Sequence, residues 1–267
     1  MCPNPVSAIT YHKGSRSAAE KDLVPEEPLV IRVEGEPYVV IMRTPGQEVF
    51  HAAGFCLSEG LVESRDDFAS IGHCPNMDPN VVEVHLTERR REKVADILCR
   101  RGFVSQTSCG ICGKQMAGDI CQNLLPAPGG FCLSPALARG LVSALHENQP
   151  LYGKTRGAHG VMLFDEGLEA LCGAEDVGRH NALDKAVGQA LMTGSLPHAR
   201  VAVLSSRISY EMVLKAGRAR LPVVVALSRP TALAVELARG LGMALARVSR
   251  DGAVTVYSGF ERFERPS

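Results

Sequence analysis

Leu29, Ile31 and Val33 alternate with polar positions, the pattern stops at Glu34–Gly35, and the apolar run Tyr38–Met42 follows. Period-2 alternation broken by a glycine turn predicts a β-hairpin, closed here by Arg43-Thr44-Pro45-Gly46. From Gln47 to Val62 the period lengthens. Val49, Ala52, Ala53, Cys56 and Leu57 recur at helical spacing, with Gly60 as the stop. Residues 80–86 (NVVEVHL) alternate as a strand, and the Arg-rich stretch 88–101 predicts a short charged helix. Residues 1–25 are polar and without pattern, which predicts a loose arm. Residues 103–130 break every pattern and end in LPAPGG, a Pro/Gly-rich connection.

The second half alternates strand and helix. Ser134-Pro135 is a helix start, a capping hydroxyl with proline at the first helical position, and the helix runs to about His146. VMLFD and LEALCGA straddle Glu166–Gly167 as a hairpin. Helices are predicted over Arg179–Met192, Tyr210–Ala219 and Thr231–Gly240, and strands over Val201–Leu204, Pro222–Ala226, Ala244–Val248 and Val254–Tyr257. Strands spaced by helices imply parallel βαβ crossovers and a sheet covered on both faces. The expected fold is therefore α/β: a mixed sheet with βαβ crossovers, plus a smaller N-terminal α+β part. The expected division is a flexible N-terminal arm (1–27), an N-terminal α+β part (28–130) and a C-terminal α/β cofactor-binding domain (131–267).

With 45% apolar and 22% charged residues, the composition excludes a mostly disordered chain. Lys+Arg and Asp+Glu balance at 29 each, so no global pull toward nucleic acid or an acidic membrane follows. The longest apolar stretches, such as Leu221–Leu227, fall far short of the roughly 20 residues that span a bilayer. The first residues lack an apolar core segment, so no secretory signal is read and a cytoplasmic location is expected. Nine cysteines (2, 56, 74, 99, 109, 112, 121, 132 and 172) in such a chain are expected to be reduced thiols. Cys56 and Cys172 fit apolar patterns and are expected in the core. The Arg89-Arg90-Arg91 run reads as a solvated face.

Three groups of residues could carry chemistry. In Thr107-Ser108-Cys109-Gly110-Ile111-Cys112-Gly113, a Cys-x-x-Cys flanked by glycines suits a thiolate on a mobile loop. Spacing alone leaves three readings open: half of a zinc site, a thioredoxin-like redox pair, or a sulfur-handling nucleophile carrying a persulfide. Glu175-Asp176-Val177-Gly178-Arg179-His180-Asn181-Ala182-Leu183-Asp184-Lys185 stacks acids, bases and an amide at a strand-to-helix turn. It could place Arg179 and His180 on a phosphate, or be a helix start capped by Asp176. Ser205-Ser206-Arg207-Ile208-Ser209 and Ser228-Arg229-Pro230-Thr231 are further strand-to-helix turns. Each offers hydroxyls with an arginine, suited to an anionic, phosphate-bearing ligand. Arg250-Asp251-Gly252 is a turn between the last two strands.

These segments in this order resemble the formate dehydrogenase accessory sulfurtransferases, the FdhD family. The likeness is carried by RTPGQEVFHAAGFCLSEGLV (43–62), TSCGICGK (107–114), GAHGVMLFD (157–165), EDVGRHNALDKAVG (175–188), SSRISYEMVLKA (205–216), LSRPTALAVELA (227–238) and RDGAVTVYS (250–258). His51 and Cys56 depart from the family's pattern. The resemblance implies a sulfurtransferase that takes sulfane sulfur from a cysteine desulfurase and passes it to the bis-molybdopterin guanine dinucleotide (molybdenum) cofactor, a step required for formate dehydrogenase activity. It implies a persulfide on Cys109 with Cys112 assisting or resolving. The implied cofactor-binding stretch is Val248-Ser249-Arg250-Asp251-Gly252-Ala253, beside Arg179, His180, Ser206, Arg207, Ser228 and Arg229. It also implies a cytidine-deaminase-like C-terminal part and a homodimer, with the cysteine loop closing over the cofactor's metal. A non-enzymatic cofactor carrier would use the same turns and leave the cysteines incidental. A zinc deaminase would need His-x-Glu and Pro-Cys-x-x-Cys, which this sequence lacks.

Overall fold

The computed structural model describes residues 4–73, 78–100 and 124–263. A six-stranded mixed sheet runs in the order β12-β11-β10-β9-β7-β8. Its strands are β7 (His159–Phe164), β8 (Ala170–Asp176), β9 (Val201–Leu204), β10 (Val223–Ala226), β11 (Ala244–Val248) and β12 (Val254–Ser258). Strands β9, β10 and β11 are parallel neighbours, and β7 and β12 run antiparallel to theirs. The crossovers are α6 (Arg179–Thr193), α7 (Tyr210–Arg218) and α8 (Ala232–Gly240).

Side-chain alternation divides the strands between two cores. Leu163, Ala202, Leu204, Val224, Ala226 and Leu245 join Leu183 of α6 and Met212 of α7. Phe164, Val201, Val203, Val223, Val225 and Ala246 face the other way, onto Ala138, Leu141, Val142 and Leu145 of α4 (Pro135–Glu147). A sheet buried on both faces needs apolar residues at every strand position, and four- or five-residue runs such as Val201–Leu204 supply them. Ser134 starts α4 as expected, its side chain accepting from the Leu137 N–H.

A second sheet, β4-β3-β6-β5, is built from β3 (Glu27–Val33), β4 (Glu36–Arg43), β5 (Phe68–Gly72) and β6 (Val81–Leu86). Leu29, Ile31, Val33, Val82 and Val84 of this sheet belong to the same core as α6 and α7. The bridge between the sheets is α1 (Glu48–Ser58), which lies directly on α6. A Cβ on Gly54 would lie 1.9 Å from the Asp184 carbonyl oxygen, and one on Gly188 would lie 1.8 Å from that of Phe50. Only hydrogen fits at this crossing, so the two glycines set how closely the halves approach.

Two expectations need correction. Residues 4–23 are not a loose arm. They form an antiparallel pair, β1 (Asn4–His12) and β2 (Ser15–Leu23), around Lys13-Gly14, whose φ angles of 44° and 80° are both left-handed. Two positive φ angles define the turn that matches strand twist, and both faces of the pair are exposed, so no apolar alternation marks it in the sequence. The Arg89–Arg91 run is not a uniformly solvated face either. It lies in α2 (Glu88–Lys93), followed by α3 (Ala95–Arg100), and Arg90 is buried. Its guanidinium donates to the Gly60 and Leu61 carbonyls and pairs with Glu63 at 2.7 Å.

Candidate functional site

Parallel strands deliver the loops after their C-terminal ends to one edge of the sheet, where ligands of open α/β folds collect. Here β9, β10 and β11 bring the turns 205–209, 228–231 and 249–253 to that edge. The first two turns run side by side, tied by the Thr231 N–H donating to the Ile208 carbonyl at 3.0 Å. Antiparallel β7 brings His159 and Gly160 to the same edge. The Gly160 N–H donates to Ser205 Oγ at 2.9 Å, and the Ser205 N–H donates to the Gly160 carbonyl at 3.0 Å. His159 pairs in register with Asp176, so the start of α6 lies there too. The structure thus gathers the chosen turns along one edge, with α5 (Pro150–Thr155) adjoining through Glu175, whose carboxylate accepts from the Leu151 and Tyr152 N–H groups at 2.8 Å.

At the β10–β11–β12 end of this edge lies an open hollow of about 640 Å³. Leu227, Ser228, Arg247, Ser249, Arg250, Asp251, Ala253 and Thr255 line it. That volume suits one nucleotide-sized ligand. Two guanidiniums and three hydroxyls beside one carboxylate are a donor-rich set for phosphate, in which only the carboxylate is purely an acceptor. Ser249 Oγ donates to Asp251 Oδ1, and the Ala253 N–H reaches the same oxygen at 3.3 Å. These hydrogen bonds, the serine's first, hold the Asp251 carboxyl below its ordinary range. Arg247 and Thr255 were not chosen from the sequence. The visible signal was a lone arginine within the otherwise apolar strand ALARV.

Of the other chosen residues, Val248 is buried in the core and Ser206 is turned inward, its hydroxyl donating to the Arg207 carbonyl at 3.1 Å. Both could meet a ligand only through the backbone. Gly252, at φ 82°, makes the 249–253 turn, while Arg207 and Arg229 are exposed at the edge. Arg179 and His180 sit half-buried at the start of α6, separated from the hollow by β9 and β7, a distance of about 14 Å at the usual strand spacing. The structure therefore brings the chosen residues to one edge but not into one cavity.

His180 has a partner the sequence reading missed. Its Nε2 lies 3.0 Å from Glu211 Oε2 in the first turn of α7 and 3.4 Å from Ser209 Oγ. The hydrogen bond from His180 draws the Glu211 carboxyl below its usual value. Burial, then the Arg179 charge, lowers the nearby His159 imidazole.

Most of the remaining polar residues of 175–185 do structural work. Asp176 is not the helix cap, since Gly178 holds that position. Asp176 and Lys185 are both fully buried and pair at 2.7 Å. Asp176 also accepts from the Thr44 N–H at 3.0 Å, the Gly178 N–H at 2.8 Å and Asn181 Nδ2 at 2.9 Å. Lys185 Nζ donates to the Thr44 carbonyl at 2.7 Å, and the Val177 N–H donates to Thr44 Oγ1 at 3.0 Å. Asp184 binds Lys215 at 2.7 Å and the Ser58 hydroxyl at 2.7 Å. The segments 43–62 and 175–188 are thus two sides of one buried polar seam. Burial pushes the Asp184 carboxyl up, with Lys215 opposing, and pushes the Lys185 ammonium down, with Asp176 opposing. Inside the seam, His51 is fully buried with neither ring nitrogen in hydrogen-bonding geometry. Burial, then Lys185, Lys215 and Arg43, lowers its imidazole well below the ordinary value, against a weak upward pull from Asn181.

Cys109 and Cys112 lie outside the described residues. Cys56 is in the core, where burial raises its thiol, and Cys172 is half-buried with its thiol pushed up to about 12 by burial. Neither is poised as a thiolate. Among the described residues no helix is long and apolar enough to cross a membrane.

A mixed α/β protein with a donor-rich strand edge is the class that fold and site define. The FdhD/NarQ family model matches residues 24–264. A "Sulfur carrier protein FdhD" from Streptomyces avermitilis is 37% identical over 264 residues, covering 95% of this chain and 93% of the relative. One from Mycobacterium tuberculosis is 36% identical over 252 residues, covering 90% and 91%. The chain belongs to the FdhD/NarQ family. A crystal structure described as a formate dehydrogenase accessory protein from Desulfotalea psychrophila shares the fold. Its TM-score is 0.78 at 22% identity, covering 99% of this chain and all of that one.

Proposed function

We propose that this protein is a cytoplasmic sulfurtransferase. Cys109 takes sulfane sulfur from a cysteine desulfurase, and the acceptor is the bis-molybdopterin guanine dinucleotide cofactor destined for formate dehydrogenase. The Cys109 thiolate attacks the outer sulfur of the donor's persulfide, the donor's thiolate leaves, and the sulfur then rides on Cys109 as a persulfide. Cys112 assists or resolves. One guanine nucleotide of the acceptor occupies the hollow at β10–β12. Arg247 and Arg250 meet its phosphates, Ser228 and Thr255 donate to their oxygens, and Asp251, steadied by the Ser249 hydroxyl, accepts from the donor edge of guanine. Arg179, His180, Arg207 and Arg229 extend the same edge toward the rest of this long polyanion.

The observation that carries the reading is the single edge onto which these arginines and hydroxyls converge, in a chain whose relatives are named sulfur carriers. The sheet order, with β7 reversed between parallel β8 and β9, supports the cytidine-deaminase-like expectation for the C-terminal part.

The test is intact-mass measurement after incubation with a desulfurase and cysteine. The wild-type chain gains one sulfur atom, and Cys109→Ala does not. A Cys109→Ala chain that gains the same sulfur refutes the assignment. An unchanged wild-type mass together with tight GDP binding would instead mark a cofactor carrier.

A further inference from the structure

The β1–β2 pair is out of proportion to its support. Every residue of it except Ala8 is exposed, including Val6, Ile9, Tyr11 and Leu23, of which Tyr11 is 73% exposed. Its one substantial neighbour among the described elements is α5, which adjoins β2, and a two-stranded ribbon this exposed is marginal in water by itself. It pairs with no third strand among the described residues.

The two edges of the ribbon differ. In a two-residue hairpin the residues flanking the turn exchange hydrogen bonds, so Ser15 and each second residue after it point their backbone groups at β1. The N–H and C=O groups of Arg16, Ala18, Glu20 and Asp22 then point outward as a free edge. No proline interrupts β2, whereas β1 carries Pro5, which cannot donate along its strand. An unblocked edge of this kind is a template for another strand.

We propose that β2 pairs with β2 of a second copy of this chain, antiparallel about a two-fold axis at Ala19, so that two ribbons form one four-stranded sheet. Three features single out this occupant and register. Centring on Ala19 uses the whole strand, and each outward backbone group meets one from the other copy. Arg16 falls opposite Asp22 of the second copy, and the symmetry repeats that pair. Glu20 falls opposite Ala18 and Lys21 opposite Ser17, so no like charges face each other, whereas centring on Glu20 would set two carboxylates together. The twofold assembly expected for this protein thereby acquires a surface, and the assignment does not depend on the chemistry of Cys109.

The test combines oligomeric state with register, on the full chain. Light scattering after size exclusion should find the wild type dimeric. Reversing the charge in Arg16→Asp should weaken self-association roughly tenfold or more, because it sets like charges opposite one another twice. The double swap Arg16→Asp/Asp22→Arg should restore it. Mild oxidation of Ala19→Cys should link two chains through position 19, since unbonded antiparallel pairs bring Cα atoms within disulfide reach. Ala18→Cys should not link through position 18. A monomeric wild type, a dimer indifferent to Arg16→Asp, a swap that fails to restore association, or the absence of a disulfide-linked position-19 peptide would each overturn the proposal. Far-UV circular dichroism of each variant separates lost pairing from lost fold.

Discussion

Replacing Lys185 with methionine removes an ammonium from a place where neither it nor its partner touches water. Asp176 would keep its three N–H donors but lose the cation 2.7 Å away. Removing one partner of a buried pair costs about 3–5 kcal/mol, because the other charge stays desolvated and unpaired. The Thr44 carbonyl would also lose its donor, so the upper half of that range is expected. With a urea dependence of about 3 kcal/mol per molar, the midpoint should fall by roughly 1 M or more. The chain has no tryptophan, so far-UV circular dichroism is the suitable probe.

The pH dependence gives a second check. Without Lys185, a buried carboxylate charge is left with no cation beside it, and that penalty applies only while the charge is present. The deficit of Lys185→Met against wild type should therefore be small near pH 4.5 and large at pH 7. Adding Asp176→Asn should recover part of the loss, limited by an amide NH₂ facing backbone donors. A deficit under about 1 kcal/mol at pH 7, or a double variant no better than Lys185→Met, would show that the uncompensated charge is not what matters.

Other outcomes follow from the same geometry. Because His51 is lowered in the folded state, the unfolded chain takes up its proton first. Wild-type stability should therefore hold above pH 6.5 and fall below it, by about 1.4 kcal/mol per pH unit from this residue. His51→Phe should flatten that slope in urea titrations between pH 7.5 and 5.5, and an unchanged slope would exonerate the residue. Gly188→Ala should lower the melting temperature by several degrees or prevent folding, since its methyl would land on the Phe50 carbonyl, whereas Gly240→Ala, with open space around it, should be neutral. Arg250→Ala and Arg247→Ala should each weaken GDP binding about tenfold by calorimetry and flatten its salt dependence; binding that ignores both would empty the hollow of its proposed ligand.

What could be read from the chain depended on how local the cause was. Strands β9 and β11 match their expected bounds because each is a short apolar run ended by a serine, and α4 was marked by its own Ser134-Pro135. The ribbon β1–β2 was missed because both its faces are exposed, so no apolar alternation marks it. Arg90 looked solvated within a basic run because the carbonyls that bind it belong to residues 60 and 61, some thirty positions away.

The strand-edge site shows the same rule acting on function. Asp176, Asn181, Asp184 and Lys185 looked like candidates for chemistry because a dense polar segment at a helix start usually faces a ligand. Their partners, Met42, Thr44 and Ser58, come from a segment more than a hundred residues earlier. Only pairing across α1 and α6 shows that these side chains bind the two sheets together. The seam also orients what remains for the ligand. With Asp176 and Asn181 fixed to Thr44 and Met42, the first turn of α6 cannot swing, and His180 is held where Glu211 and Ser209 can reach it. A residue can thus matter to the site without touching what binds there. Damage to the seam should lower affinity at Arg179 and His180 through position, and damage at Arg247 or Arg250 through lost contact. The two effects separate experimentally, because only the first is accompanied by a loss of stability.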